Sequence, residues 1–464
     1  MGVKKGDVVI AYCPSDYHQA FAYLAMAAIG GVYTGCLEDS ELEKVAKATN
    51  AKYLIACKEN LNVASQVYRS NKNIKKLLVT DCTEVESDIV SIAKLLSEKP
   101  NFNGKEFKNA LESIDNDDLL QIVFTSGTSG KVKAVPLSHR NVCADVGTTF
   151  PEFNLIAEDD TVLCYLPLFH TAGSGILCLT AFAGATIALA VDDSSKALYR
   201  FCETYKVTSA YFVPVIVADF NEMYTEENKI CLKTVMSTGD SLPVNVACEF
   251  ISKYKPYYFS QLYGSSEAGT ITLNPEYKGT SDVKSVGIPT LEGQIKIVDI
   301  KTKSKLGANQ TGEICIKTPQ VFKSYLNDDL LTKERFDEDG FFRTGDAGYY
   351  DEDGNVYFVA RYSSLLKYDG WFISPMELET ILQTHEAVKE AAVIGTDAGI
   401  LGQKPRGFVL LKDEYRDRLN ENEILEYFNS HVAHYKQLRG GIVIVDSFPR
   451  TSIGKIDRKS LINY

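Results

Sequence analysis

Between Thr125 and Lys133 the chain sets four hydroxyl side chains and two glycines ahead of its lysines, Thr-Ser-Gly-Thr-Ser-Gly-Lys-Val-Lys. Glycine freedom, open backbone N–H groups and hydroxyl donors suit such a loop to wrap phosphate oxygens. The spacing is not that of a P-loop, because no glycine stands five residues after Gly127. Further segments carry chemistry of their own. Leu166-Pro-Leu-Phe-His170, followed by Thr-Ala-Gly173, puts a histidine at a small-residue turn. By residue type alone, a core or helix-capping role outweighs a catalytic one there. Ser237-Thr-Gly-Asp240 and Gln261-Leu-Tyr-Gly-Ser-Ser-Glu-Ala-Gly269 are turn-rich stretches after β-type runs. The second joins an aromatic face, two hydroxyls and a carboxylate, a set suited to a purine, a phosphate and Mg²⁺. Thr344-Gly-Asp346 puts a carboxylate on a tight turn, where it could accept two ribose hydroxyls. Pro449-Arg-Thr-Ser-Ile-Gly-Lys455 carries a lysine on a glycine-hinged loop.

These segments need a scaffold, and the apolar pattern supplies one. Short β-rich runs (Lys52–Cys57, Lys76–Thr80, Thr161–Tyr165, Ala185–Ala190, Ser209–Val213) alternate with helical stretches at Tyr17–Ile29, Glu41–Ala48 and Lys196–Thr204. That alternation predicts layered α/β subdomains with parallel sheets. From Gly287 onward hairpin-like strands, Gln294–Asp299 and Gly312–Lys317, predict a small barrel-like sheet. Asp351-Glu-Asp-Gly354 is a turn between two of its strands. A small α+β domain follows: a helix from Pro375, strands at Ala391–Gly395, Gly407–Leu411 and Ile442–Val445, and a helix stripe of Ile424, Leu425, Phe428 and Val432. The expected domains are residues 1–361 and residues 362–464, joined near Ser363.

The chain has 464 residues, 45% hydrophobic and 24% charged, as in ordinary globular proteins. A net charge of −12 argues against a general nucleic-acid or anionic-membrane binder, so an anionic ligand needs a local basic site. Eleven scattered cysteines without a CxxC pair read as reduced core residues of a cytoplasmic protein. The longest span free of acidic and basic residues, Thr161–Val191, is broken by Pro167 and several glycines, which predicts a buried helix and strand and no transmembrane segment.

In this order the segments resemble the adenylate-forming superfamily: acyl-CoA synthetases, plant 4-coumarate–CoA ligases, firefly luciferase and peptide-synthetase adenylation domains. The resemblance runs from about Lys5 to Lys459 and is closest to the 4-coumarate–CoA ligase and luciferase branch, as in Pro167-Leu-Phe-His170, Leu137-Ser-His-Arg-Asn141 and Leu438-Arg-Gly-Gly441. It implies that ATP activates a fatty or aromatic carboxylic acid to an acyl-adenylate, with pyrophosphate release, followed by transfer to CoA. It further implies that Thr125, Ser126, Gly127, Thr128, Ser129 and Lys133 hold the β- and γ-phosphates. Gln261, Tyr263 and Gly264, with Thr238, Gly239 and Asp240, would enclose the adenine, and Asp346 and Arg361 would bind the ribose. Ser266 and Glu267 would serve phosphate and Mg²⁺, and His170 would lie beside the reacting carboxylate. Lys455 would act in adenylation and Lys367 in the thioester-forming half-reaction, with the small domain swinging between them.

Departures from the family pattern carry expectations too. Val132 and Ala134 stand where the family has Pro and Gly, so Ala134 would be strained if its backbone needs positive φ. Asp369 and Phe372 replace Lys and Gln on the thiol-acceptor side, which reverses a charge near CoA. The family's segment before Val3 is longer by several dozen residues, and Leu-Ile-Asn-Tyr464 is not a Ser-Lys-Leu peroxisomal address. A luciferase-like monooxygenase and a catalytically impaired nucleotide- or acyl-binding relic are the alternatives. The partners expected are the small acid, ATP and CoA, with no nucleic acid; oligomeric state is left open.

Overall fold

The computed structural model describes residues 2–98, 103–126, 132–153, 156–227, 229–274, 282–369, 371–416, 418–450 and 456–463. Its first sheet comprises β1 (Val8–Tyr12), β2 (Val32–Gly35), β3 (Tyr53–Ala56), β4 (Lys76–Val79), β5 (Ile89–Ser91), β6 (Leu119–Ser126) and β7 (Val132–Ser138). Their spatial order is β5-β4-β3-β1-β2-β6-β7. All neighbours pair in parallel except β7, which returns antiparallel on β6. Every residue of β1 is buried, which is why its sequence is a continuous apolar run and not an alternating one.

A second, wholly parallel sheet holds β8 (Thr161–Cys164), β9 (Thr186–Leu189), β10 (Ser209–Phe212), β11 (Thr234–Ser237) and β12 (Tyr258–Gln261), in the order β12-β11-β10-β8-β9. Parallel pairing demands long returns, and helices Thr171–Ala183, Ser195–Tyr205, Pro214–Met223 and Val244–Tyr254 provide them. The span Thr161–Val191 therefore resolves into strand, helix and strand, and among the described residues no helix is long and apolar enough to cross a membrane.

Antiparallel structure follows. A three-stranded sheet holds β13 (Tyr263–Ser265), β14 (Gly269–Leu273) and β15 (Ile288–Pro289). A four-stranded one holds β16 (Gln294–Val298), β17 (Gly312–Lys317), β18 (Phe342–Tyr350) and β19 (Val356–Arg361) in sequential order. The latter is an open meander whose edge strands β16 and β19 do not pair with each other. Asp351–Gly354 makes the expected turn, with Gly354 N–H bonded to Asp351 C=O at 3.2 Å.

Beyond Arg361 lies the hairpin β20 (Leu366–Tyr368) and β21 (Trp371–Ile373), then helix Pro375–Leu382. The last sheet has β22 (Val388–Asp397), β23 (Gln403–Leu411) and β24 (Ile442–Ile444) in sequential order. Helix Glu421–Ser430 buries Ile424 and Phe428; Val432, expected on the same stripe, falls past its end.

Candidate active site

Phe212, Ser237 and Gln261 are register partners at the carboxyl ends of β10, β11 and β12. Chain leaving those ends emerges on one edge of a parallel sheet, the place where such sheets bind ligands. The departing segments are Val213–Pro214, Thr238–Asp240 and the stretch that becomes β13. Gln261 ties them together: its Oε1 accepts Leu242 N–H at 2.9 Å and its Nε2 donates to Val283 C=O. In the first sheet Thr125 on β6 pairs with Lys133 on β7, so both stand at the mouth of the hydroxyl-rich loop.

The buried centre of the site is Asp346. It faces Arg361 across β18 and β19. The Tyr263 hydroxyl donates to its Oδ2 at 2.7 Å. Arg361 Nε lies 3.2 Å from Oδ1, an ion-pair distance, yet Oδ1 has no partner of hydrogen-bonding geometry among the described residues. The Asp346 side chain is 2% exposed and that of Arg361 is 55% exposed. Burial raises the Asp346 pKa above the ordinary carboxylate range, against the pull of Arg361 and Tyr263. An anionic oxygen held this way is an acceptor awaiting hydroxyl donors. The tight turn expected at Thr344–Asp346 is instead an irregularity within β18, where the register against β17 shifts and Gly345 takes φ +77°; Thr344 Oγ1 donates to Ile314 C=O and accepts Asp346 N–H.

Next to this lies a second charged group. The Tyr325 hydroxyl donates to Glu267 Oε1 at 2.7 Å, and Lys133 Nζ stands 5.3 Å from the centre of the Tyr325 ring. Arg335, at the end of helix Asp329–Arg335, donates from Nη1 to the carbonyls of Arg343 and Thr344 at 3.3 and 3.5 Å. Burial, then the nearby Arg335 and Arg361 guanidiniums, lower the Lys133 pKa while Glu267 pulls it up. Three cations thus converge on two carboxylates, the local basic site that a chain of net charge −12 needs for an anionic ligand.

A cleft of about 280 Å³ runs alongside. Gly239, Asp240 and Gln261 line one wall; Glu379, Arg450, Ile456 and Arg458 line the other. Buried Glu379 is gripped by both oxygens from Arg458 at 2.8 and 3.0 Å and accepts Val393 N–H at 2.7 Å. Lys389, also in the cleft lining, pairs with Glu222 at 2.8 Å.

Residues 1–326 match the family described as "AMP-binding enzyme", and residues 377–455 match "AMP-binding enzyme C-terminal domain". The chain belongs to the AMP-binding enzyme family. It is 30% identical to 4-coumarate–CoA ligase 3 of Oryza sativa subsp. japonica over 478 residues, 99% of this chain and 83% of that protein. It is 31% identical to a 4-coumarate–CoA ligase of Vanilla planifolia over 475 residues, 99% of this chain and 84% of that protein. The ATP-bound structure of the RpMatB–BxBclM chimera B3 superposes with a TM-score of 0.85 at 25% identity, covering 100% of this chain and 89% of the other.

The family motifs do not all play the same part here. Asp346, Arg361, Tyr263, Glu267 and Lys133 come together as described, whereas Gln261 braces the wall through backbone bonds. Thr238 hangs its N–H on Phe212 C=O at 2.9 Å, and Ser266 is half-buried beside Glu267. Gly264 packs so close to Gly269 C=O that an added Cβ would lie 2.5 Å away. His170 caps helix Thr171–Ala183, its Nδ1 accepting Ala172 N–H at 3.3 Å, so the capping role read from residue type is realised. Lys367 is exposed on β20, outside the cleft lining. Gly127, Thr128, Ser129 and Lys455 lie outside the described residues, and Ser126 is described by its backbone alone.

Two of the departures acquire physical reasons. Ala134 sits in β7 opposite Phe124, without positive φ, so its methyl group is not strained. Asp369 takes φ +47° in the turn that pairs Tyr368 with Trp371, a conformation that Asp tolerates better than most residues. Tyr325 and Arg335 were missed by sequence reasoning. Arg335 reads there as a basic residue in the last turn of a helix, its usual place beside a helix dipole.

Proposed function

We propose that this chain joins a carboxylic acid to CoA in two steps, using ATP to form an acyl-adenylate and releasing pyrophosphate. The observation that carries the reading is the buried, half-satisfied Asp346 beside Arg361, one step from the Lys133, Arg335 and Glu267 group. That donor set fits a nucleoside triphosphate: Asp346 accepts the ribose hydroxyls, and Lys133 and Arg335 draw the phosphate tail. A single carboxylate, Glu267, fits Mg²⁺, which takes most of its ligands from phosphate and water; the described residues hold no cluster of three or more ligating side chains. Mg²⁺ would neutralise phosphate charge there.

Attack of a carboxylate on an α-phosphate drives two anions together, so the residues must stabilise charge that grows in the transition state. Lys133 and Arg335 draw charge toward the leaving pyrophosphate. Arg450 and Ile456, which flank residues 451–455 in the sequence, line the cleft beside Gly239 and Asp240. The exposure of Lys367 outside the cleft lining is compatible with adenylation by Lys455 in this arrangement of the domains. We place the domain boundary at residues 361 and 362, where β19 gives way to a short turn at Tyr362–Ser364; swinging about it would exchange Lys455 for Lys367. The eleven cysteines, all free, fit a reducing cytoplasm. Hydroxylamine trapping across fatty and aromatic acids, with and without CoA, tests the reading. Acid- and ATP-dependent hydroxamate is the expected product, and the CoA thioester should form in its place when CoA replaces hydroxylamine.

A further inference from the structure

Helix Pro214–Met223 and strand β22 fall on opposite sides of the proposed domain boundary, and the cleft lies between them. Val215, Ala218 and Glu222 follow one another at three and four residues, so they share one face of that helix. The face runs outward from the carboxyl end of β10, apolar where Val215 and Ala218 line the cleft and acidic at Glu222. There Glu222 Oε2 accepts a hydrogen bond from Lys389 Nζ at 2.8 Å. A distortion of β22 places that lysine. Val388 pairs with Leu411 and Glu390 with Leu410, so Lys389 is an extra residue opposite no partner on β23. Such a bulge re-aims side chains, and here both Lys389 and its neighbour Glu390 line the cleft. Glu390 in turn holds Arg450 with both oxygens, at 2.6 and 2.9 Å, and Arg450 forms a β-bridge with Ile456. Asp219 of the helix and Asp413 of the small domain also lie within electrostatic reach of Lys389; Asp219 accepts the Ser195 hydroxyl.

The side chains of Lys389 and Glu222 are 36% and 54% exposed. At such exposure an ion pair adds little to the stability of either domain. Charges at the rim of an interface act instead on how two surfaces are oriented as they meet. Lys389 shares its cleft wall with Arg450 and Ile456, whereas the exposed Lys367 lies outside that wall. Bringing Lys367 to the site carries the wall away, and the bridge with it. We propose that Glu222 and Lys389 are a positioning pair for the first half-reaction. Their bridge selects the docking of the small domain in which the acid attacks the α-phosphate, and it opens before the thioester forms. Glu390 and Arg450 pass that placement to the strand end at Ile456. The inference rests on the two-step reading of the site and names the residues that hold its first arrangement. Neither is a catalytic residue; each acts through the seat of the small domain.

Charge exchange tests this. In Lys389→Glu a carboxylate meets Glu222 and Asp219 across the cleft. Pyrophosphate release, with para-coumarate and hexanoate as probe acids, should fall about tenfold in kcat with the KM for ATP unchanged. Glu222→Lys should act in the same direction but less, because Asp219 remains beside it. The double variant Glu222→Lys/Lys389→Glu should recover most of the wild-type rate. Thioester formation from supplied para-coumaroyl- or hexanoyl-adenylate should be unchanged or faster in both single variants. Hydrogen–deuterium exchange reads the docking with no acid present: peptides spanning Val213–Ala218 and Lys389–Ala391 should exchange faster in Lys389→Glu and return to wild-type rates in the double variant. Equal loss of both half-reactions in the single variants, a double variant that recovers nothing, or unchanged exchange in Lys389→Glu overturns the proposal while the ligase reading stands. Pyrophosphate release by the wild-type chain from neither probe acid nor any acid of the hydroxylamine panel overturns both.

Discussion

Where Lys133, Arg335 and Arg361 meet Glu267 and Asp346, opposite charges stand within reach of one another. Where Asp145 meets Thr270 and Gly175, the carboxylate has a hydrogen bond but no counter-charge among the described residues. On the proposed function the first group holds a ligand whose charge is the same in every turnover, a nucleotide with its phosphates. Substitutions in that group should therefore damage all acids alike.

The largest effect should come from Lys455→Ala. Acid-dependent pyrophosphate release should fall about 100-fold or more, roughly 3 kcal/mol of barrier, for every acid, while thioester formation from supplied acyl-adenylate survives. Loss confined to one acid would count against a role for Lys455 at the nucleotide. Glu267→Gln comes next: the Mg²⁺ concentration for half-maximal activity should rise by about tenfold or more, again without regard to the acid. Asp346→Asn keeps a partner for the Tyr263 hydroxyl but removes the charge facing Arg361, and should weaken ATP binding by about tenfold. The sign of its pH dependence follows from the raised pKa. As pH falls through that value the carboxylate takes a proton and ATP binding weakens. The loss should begin above the ordinary aspartate value of about 3.9, and titration calorimetry should show it vanish in Asp346→Asn. The smallest effect is expected from Tyr325→Phe, which frees Glu267 from one hydrogen bond and should cost about 1 kcal/mol, near fivefold in kcat/KM.

Much of the scaffold was legible because it is local. Helix Tyr17–Ile29 has the bounds that its apolar spacing gives, set by an Asp16 side-chain cap and by Gly30 at φ +68°. The parallel strands announce themselves as short apolar runs between helices. The residues proposed for the nucleotide were legible through resemblance, since each belongs to a short sequence motif. The contacts that give them their chemistry were not. Tyr325 finds Glu267 across 58 residues, Tyr263 finds Asp346 across 83 and Asp145 finds Thr270 across 125. Nothing in the spacing of Arg335 or Asp145 separates them from solvated charges on a helix face; only the packing of distant elements turns them inward.

Gln261 carries one more consequence. Its amide is fastened at both ends, oxygen to Leu242 and nitrogen to Val283. A side-chain amide free to rotate by half a turn exchanges donor for acceptor and so tolerates either pattern on a nucleobase edge. This one is locked when the strand ends are laid down. On the proposed function, Gln261 therefore offers a nucleobase a fixed wall, and its amide is not free to turn and read the base edge.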